Sequence, residues 1–332
     1  MIIAYCVVKN KLERLELKPE GKLPEGLIWI DLIEPSAKEE RFVETALGIN
    51  APTREEMDKN EVMSPFYQEG EASYMTITAL YNQGSGHPES TAITLILLEN
   101  KCLVTMRYHR PKAFSHFVAR AVRFPDLCQG PEKIMEGLME ALVNSIADVL
   151  EKAGNELDRL LKELFEKPAL EGDLRKSNNS SQYYDQIIKH IGRMGNLLSK
   201  NRESLVSINR MLIFYSQLEY AKNIKRDNKS RFRVIAQEVH SLSEYVSFLS
   251  QRNSFLLDAT LGMIGVEQNM IIKVFTVAAA ALMPPTLIAS IYGMNFHNMP
   301  EINAEWGYPI ALLAIVVSAI LPYYFFKKKG WL

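Results

Sequence analysis

Two long apolar runs dominate the hydrophobic pattern of the chain. Val274 to Ile291 reads VFTVAAAALMPPTLIASI, broken only by two Thr and one Ser, and Ile271-Ile272 extend it towards the ~20 residues that a membrane-spanning helix needs. Tyr308 to Phe326 (YPIALLAIVVSAILPYYFF) carries no charge, so both runs predict transmembrane helices joined by a short loop. Upstream the pattern is of another kind. From Met1 to about Arg107, Ile2 to Val8, Leu27 to Leu32, Ser73 to Tyr81, Thr91 to Leu98 and Cys102 to Met106 are rich in Val, Ile, Thr and Tyr. Gly, Pro and Asn signals such as Gln83-Gly84-Ser85-Gly86 separate them, which predicts strands. Ser36 to Leu47, with Glu39-Glu40 in its first turn, and Pro52-Thr53-Arg54-Glu55-Glu56 read as helix starts between them. Strands interleaved with helices predict an α/β domain.

After Pro111 the pattern is almost continuous helix. Between Pro131 and Lys167, Ile134, Leu138, Leu142, Ile146, Val149, Leu157, Leu160, Leu161 and Leu164 recur at intervals of mostly three and four, as one long amphipathic helix or a broken pair. Pro168, Gly172 and Asn178-Asn179-Ser180-Ser181 read as a turn, and a second helix runs from about Tyr183 to Tyr220. A third starts near Asn228 and meets only Gly262 and Gly265 before the first apolar run. Continuous to Ile291, it would be ~95 Å long, far more than a bilayer needs, and its apolar face would need partners.

Charge sets the membrane topology. In a chain of 332 residues, 23% charged is too many for two spans to accommodate, so most of the chain is expected in a cytosolic domain. Lys273 and Lys327-Lys328-Lys329 flank the spans, whereas the loop between them holds Glu301 and Glu305 and no Lys or Arg. The positive-inside rule then places both ends of the chain in the cytoplasm and the loop outside. Tyr292, Trp306 and Tyr308, with Tyr323, Tyr324 and Trp331, suit the two interfacial belts. The expected domains are 1–130 (cytosolic α/β), 131–227 (long cytosolic helices), 228–272 (a stalk helix) and 273–332 (the transmembrane hairpin), which together make an α+β membrane protein. A formal net charge of -1 gives no case for nucleic acid. Cys6, Cys102 and Cys128 form no zinc or disulfide pattern and fit a reducing compartment. Met1 to Val8 lacks a basic leader and reads as a strand, not a signal peptide. The six His are scattered, no phosphate loop is present and Ser and Cys lack neighbouring bases, so no enzyme is expected.

Tyr292-Gly293-Met294-Asn295 precedes Met299-Pro300-Glu301, with Met283-Pro284-Pro285-Thr286-Leu287 upstream and Lys327-Lys328-Lys329-Gly330-Trp331-Leu332 downstream. In that order around a helical hairpin, these residues resemble the CorA family of magnesium transport proteins. The resemblance is specific over Asp258 to Leu332, weaker over Ile28 to Tyr81, and a matter of helix lengths between. It implies a small sheet layered with helices and a stalk helix continuous with the first span. It further implies a funnel-shaped homopentamer in the inner membrane that passes hydrated magnesium, with cobalt and nickel as further cargo. Magnesium is then substrate and regulatory ligand, and no other cofactor is implied.

Asp258, Gly262, Gly265, Asn269, Ile272, Thr276, Ala279, Met283, Thr286 and Ser290 step by alternating four and three, the spacing of one seam on a helix. Polar residues at membrane depth usually face a bundle interior or water, although small and hydroxyl residues also serve close helix packing. With the Gly-Met-Asn hairpin attached, a pore is the better reading. Magnesium sheds its water reluctantly, so a ring of neutral Asn295 carboxamides accepting hydrogen bonds from the hydration shell suits it better than carboxylates. The resemblance assigns this filter to Gly293, Met294 and Asn295, with the Gly293 carbonyl beneath. By the same resemblance Met283 and Phe275 are hydrophobic constrictions that close by dewetting, and Asn269 and Asp258 are polar and acidic rings at the cytosolic end. Asn295 and Asp258 are thus the expected ion contacts. Many relatives have Glu where this chain has His297, which leaves an outer loop with Glu301 less acidic than usual. Glu238, Glu244, Asp31 and Glu34 are candidates for a cytosolic regulatory site. The rival within the superfamily is a zinc transporter of the ZntB type, against which Met294 argues because that type tends to vary the middle residue of the motif. A tethered, non-conducting coiled coil is the rival from another class, and it would favour a uniformly apolar seam.

Overall fold

The computed structural model describes residues 1–8, 11–58, 65–82, 88–98, 101–166, 177–218, 226–294 and 305–331. It divides into two compact units, Met1–Leu257 and Asp258–Leu332. The first unit holds a seven-stranded sheet: β1 (Ile2–Val8), β2 (Lys11–Leu17), β3 (Leu27–Ile33), β4 (Phe66–Glu69), β5 (Ala72–Tyr81), β6 (Glu89–Leu98) and β7 (Leu103–Arg107). The spatial order is β2-β1-β3-β7-β6-β5-β4. Only β3 and β7 run parallel, with Asp31 opposite Thr105, and the other neighbours are antiparallel.

Both edge strands, β2 and β4, are additions to the strands expected from the sequence. β2 (KLERLEL) is mostly exposed and charged and β4 (FYQE) is four residues long, so neither has the apolar alternation of a half-buried strand. Short, charged edges are a common protection against further strand pairing. The central strands are covered on both faces. One face carries Ile2, Ile30, Leu32, Ile96, Val104 and Met106 against Val43, Ile49 and Met57. The other carries Trp29, stacked on Tyr5 at 4.2 Å and flanked by Phe114 and Phe117.

Helix α1 (Ala37–Leu47) starts at Ser36, whose backbone N–H donates to Glu39 Oε2 at 2.8 Å, and ends at Gly48 in the left-handed region (φ 68°). The short α2 (Arg54–Asp58) follows, and α3 (Lys112–Arg123) begins where Pro111 ends the strand region. Helix α4 (Pro131–Glu166) is a single helix, which decides between the two readings of its periodicity. Its glycines receive aromatic groups from neighbouring helices. A Cβ at Gly137 would lie 2.3 Å from the Phe117 ring, and one at Gly154 would lie 2.6 Å from the Tyr245 hydroxyl. Helix α5 (Ser177–Gln217) starts earlier than expected, so Asn178–Ser181 belong to its first turns, not to a connecting turn. Pro168 and Gly172 lie outside the described residues.

Pairing of β4 with β5 ends at Met75, the Thr76 N–H donates to the Pro65 carbonyl, and among the described residues no strand covers the edge beyond it. Helix α5 closes it with two serines one turn apart. The Thr78 N–H donates to Ser207 Oγ at 3.0 Å, and the Ser204 hydroxyl donates to the Thr78 carbonyl at 2.6 Å.

Helix α6 (Arg226–Tyr292) is unbroken for 67 residues, ~100 Å at 1.5 Å per residue, and α7 (Gly307–Lys328) adds 22 more. Both contain stretches long and apolar enough to cross a membrane. In the second unit, Val274, Val277, Ala281, Pro284 and Ile288 of α6 are buried or half-buried. So are Gly307, Ala311, Ala314, Ser318, Ala319 and Pro322 of α7, and small residues of this kind permit close approach of spanning helices.

Candidate ion pathway

At about 100° per residue, the seam from Asp258 to Ser290 occupies one ~120° sector of α6, away from the line that Val277 buries. Asp258, Gly262, Asn269, Ile272, Thr276, Ala279, Met283, Thr286 and Ser290 are all exposed along it, and Gly265 is half-buried. Phe275 flanks the sector at 70% exposure and Met283 lies within it at 69%, so both large apolar side chains are free to meet something beyond this chain. The structure therefore brings the expected seam residues to one uncovered face.

The threonines on that face have a definite polarity. Thr276 Oγ1 donates its hydrogen to the Ile272 carbonyl and Thr286 Oγ1 to the Leu282 carbonyl, each at 2.7 Å. With the hydrogen held by the helix backbone, each hydroxyl presents only lone pairs outward. Such groups accept from the waters around a cation, whose hydrogens point away from the ion. Type and spacing alone do not reveal this, because it depends on the rotamer that the helix backbone favours.

At its C-terminal end α6 finishes at Tyr292. Gly293 N donates to Ala289 O at 2.9 Å and Met294 N to Ile291 O at 3.3 Å. A Cβ at position 293 would press to 3.1 Å on the Ala289 carbonyl, which favours glycine where the helix tightens into the loop. Asn295, His297 and Glu301 lie outside the described residues.

The regulatory candidates are scattered. Asp31 is 1% exposed, and its carboxylate accepts from Arg107 Nε at 3.0 Å, Arg107 Nη2 at 2.8 Å and Thr105 Oγ1 at 2.8 Å. Trp29 Nε1 donates to Thr105 Oγ1, and the Arg107 guanidinium sits 4.4 Å above the Phe114 ring. That carboxylate is committed to the sheet and is not presented to an ion, which removes Asp31 from the regulatory set. Glu34, Glu238 and Glu244 are exposed, and Glu244 lies 3.7 Å from His240 on the same helix. Among the described residues no three His, Cys, Asp or Glu side chains converge as a metal site. The cysteines are buried, and burial pushes the Cys102 and Cys128 thiols up to about 11.

Residues 24–328 match the family described as CorA-like Mg2+ transporter protein. The magnesium transport protein CorA of Campylobacter jejuni (strain RM1221) is 31% identical over 343 residues, covering 100% of both chains. The complete structure of the CorA magnesium transporter from Methanocaldococcus jannaschii superposes with a TM-score of 0.77 at 17% identity, covering 100% of this chain and 99% of that one. The ZntB cytoplasmic domain from Vibrio parahaemolyticus superposes less well, with a TM-score of 0.54 at 10% identity over 79% of this chain and 97% of that one. The soluble fold is thus shared with the zinc rival, whereas the full-length match in sequence is to magnesium transport proteins. With α6 and α7 as its membrane hairpin, this chain belongs to the CorA family of membrane transport proteins.

Proposed function

We propose that the protein carries Mg2+ across the membrane as a homopentamer, selecting the ion with its water shell on and closing when cytosolic Mg2+ is high. The observation that carries this reading is the uncovered α6 seam, whose Thr276 and Thr286 lone pairs face outward on either side of the small Ala279 and the apolar Met283. Copies of the chain placed around an axis would line a path with these groups. Removing water from Mg2+ is costly, so a path of neutral acceptors suits the hydrated ion. Asn295 carboxamides at the outer mouth supply the selecting ring, with Gly293 and Met294 setting the turn that holds them. Met283 and Phe275 narrow the path to an apolar constriction that closes by dewetting when the helices approach. Asn269 and Asp258 offer polar and anionic groups at the cytosolic end, and the flanking lysines support a cytoplasmic location for both ends of the chain.

Cobalt and nickel, divalent cations that also carry octahedral water shells, are proposed as further cargo of the same path. Zinc is the second reading, supported by the shared soluble fold. Purified protein in liposomes decides between them. Mg2+ uptake exceeding Zn2+ uptake, abolished by Asn295→Ala in a variant of unchanged oligomeric size, is the expected result. Near-normal Mg2+ uptake by that variant would overturn the filter assignment, and preferential Zn2+ uptake by the unaltered chain would overturn the choice of ion.

A further inference from the structure

The last turn of α7 and the residue that caps it carry Lys327, Lys328 and Lys329, all exposed. None of the ion pairs formed among the described residues involves them. Three ammonium groups within one helical turn repel one another, and among the described residues no carboxylate pairs with them. One turn below lie Tyr323, Tyr324 and Phe325, exposed by 46%, 67% and 53%. The spacing of four sets each lysine above an aromatic ring on the same helix face, and Lys329 Nζ lies 5.0 Å from the Phe325 centroid.

The next residues turn back on the helix. Gly330 adopts the left-handed region (φ 70°) and its N–H donates to the Lys327 carbonyl at 3.1 Å. Trp331 N then donates to the Phe326 carbonyl at 3.1 Å, and the indole packs on the Phe326 ring with centroids 5.1 Å apart. This fold-back keeps the indole beside the last turn of the span. Aromatic rings of this kind settle at the headgroup boundary of a bilayer, and lysines one turn (~5.4 Å) further reach the level of the phosphates.

We infer that this end of α7 is a binding surface for anionic phospholipid headgroups, with Lys327–Lys329 taking the phosphates and the aromatic collar setting their depth. The inference rests on the reading of α7 as a membrane span. A lipid fits better than a free anion. The lysines are exposed, and the collar below them continues the apolar surface of the span, so the acyl chains and the headgroup of one molecule are matched together. Lysines near a membrane surface each contribute enough for the set to favour an anionic over a zwitterionic lipid by roughly tenfold or more.

The test uses the full chain in mild detergent with equal amounts of phosphatidylglycerol and phosphatidylcholine, and native mass spectrometry to count the lipids retained. Phosphatidylglycerol should dominate on the unaltered protein, fall to parity with Lys327→Gln, Lys328→Gln and Lys329→Gln combined, and persist with Arg at the same three positions. Parity on the unaltered protein, or no loss in the Gln variant, would overturn the proposal. So would displacement of the lipid by millimolar inorganic phosphate, which would mark an ordinary anion site. Alkaline carbonate extraction of vesicles holding the same protein separates the two layers of the argument. Release of the protein would overturn the spanning reading and the lipid site with it, whereas retention without lipid preference would overturn the lipid site alone.

Discussion

Arg107 and Asp31 meet in a place that almost no water reaches, with side chains 6% and 2% exposed and two parallel hydrogen bonds between them. Such a pair adds little net stability over apolar residues of the same shape, but removing one partner leaves the other charged and dry. Arg107→Met should therefore cost ~3–5 kcal/mol, read as a large fall in the thermal midpoint of the purified protein. Replacing both partners with apolar residues should cost less than the single change. A different residue-scale expectation concerns the thiols. Cys102 and Cys128 are protonated and buried at neutral pH, because burial raises both to about 11, well above the ordinary thiol value. Since the thiolate is the nucleophile, both should resist maleimide at pH 7 in the folded protein and react once it is denatured. Labelling of either in the native state would show that its site opens.

At the scale of elements, α5 and β5 show how a sheet edge is closed without another strand. Ser204 is 1% exposed, and its hydroxyl together with that of Ser207 occupies both backbone groups of Thr78. Ser204→Ala with Ser207→Ala leaves a backbone N–H and C=O short of partners, at ~1–3 kcal/mol each. A lower melting temperature with an unchanged helix signal is the expected outcome, and an unchanged midpoint would show that water replaces the serines. These serines were invisible as caps in the sequence, since their partner lies 126 residues away. Helix boundaries were far more legible. The expected span from Tyr308 to Phe326 lies inside α7, and the expected start near Asn228 lies two residues from that of α6. Period and charge are local properties, and a long helix is built from local hydrogen bonds.

For the whole molecule, the uncovered apolar residues of α6 are the strongest argument for assembly. Phe248 and Phe255 lie seven residues apart on α6 and are 51% and 56% exposed. An oligomer that buries their remaining surface gains on the order of 1 kcal/mol per side chain in each copy, about half the value for burying a fully exposed side chain. The unaltered protein in detergent should have the native mass of five chains, and Phe248→Ser with Phe255→Ser should shift it towards smaller species at the same concentration. A single-chain mass for the unaltered protein would remove the pentamer from the proposal.

The sequence by itself determined the two spans, their charge asymmetry, the Gly293-Met294-Asn295 hairpin and the four-and-three seam, because each follows from composition or period within a few turns of chain. The family followed from the order of those features, and the full-length match agrees with it. Tertiary structure alone decided the rest. It recruited the charged β2 and the short β4 to the sheet edges, where pairing with a neighbour outweighs weak local pattern. It also turned Asp31 from a candidate ion ligand into the partner of Arg107, since the parallel register of β3 and β7 sets Asp31 opposite Thr105, 74 residues away, and Arg107 reaches back to it from two residues further along β7. Glycine weakens a helix, and Gly137 and Gly154 of α4 are accounted for only by Phe117 and Tyr245, which fill the space they leave. In each case the deciding force is contact between distant segments, and distance along the chain hides it from any local pattern.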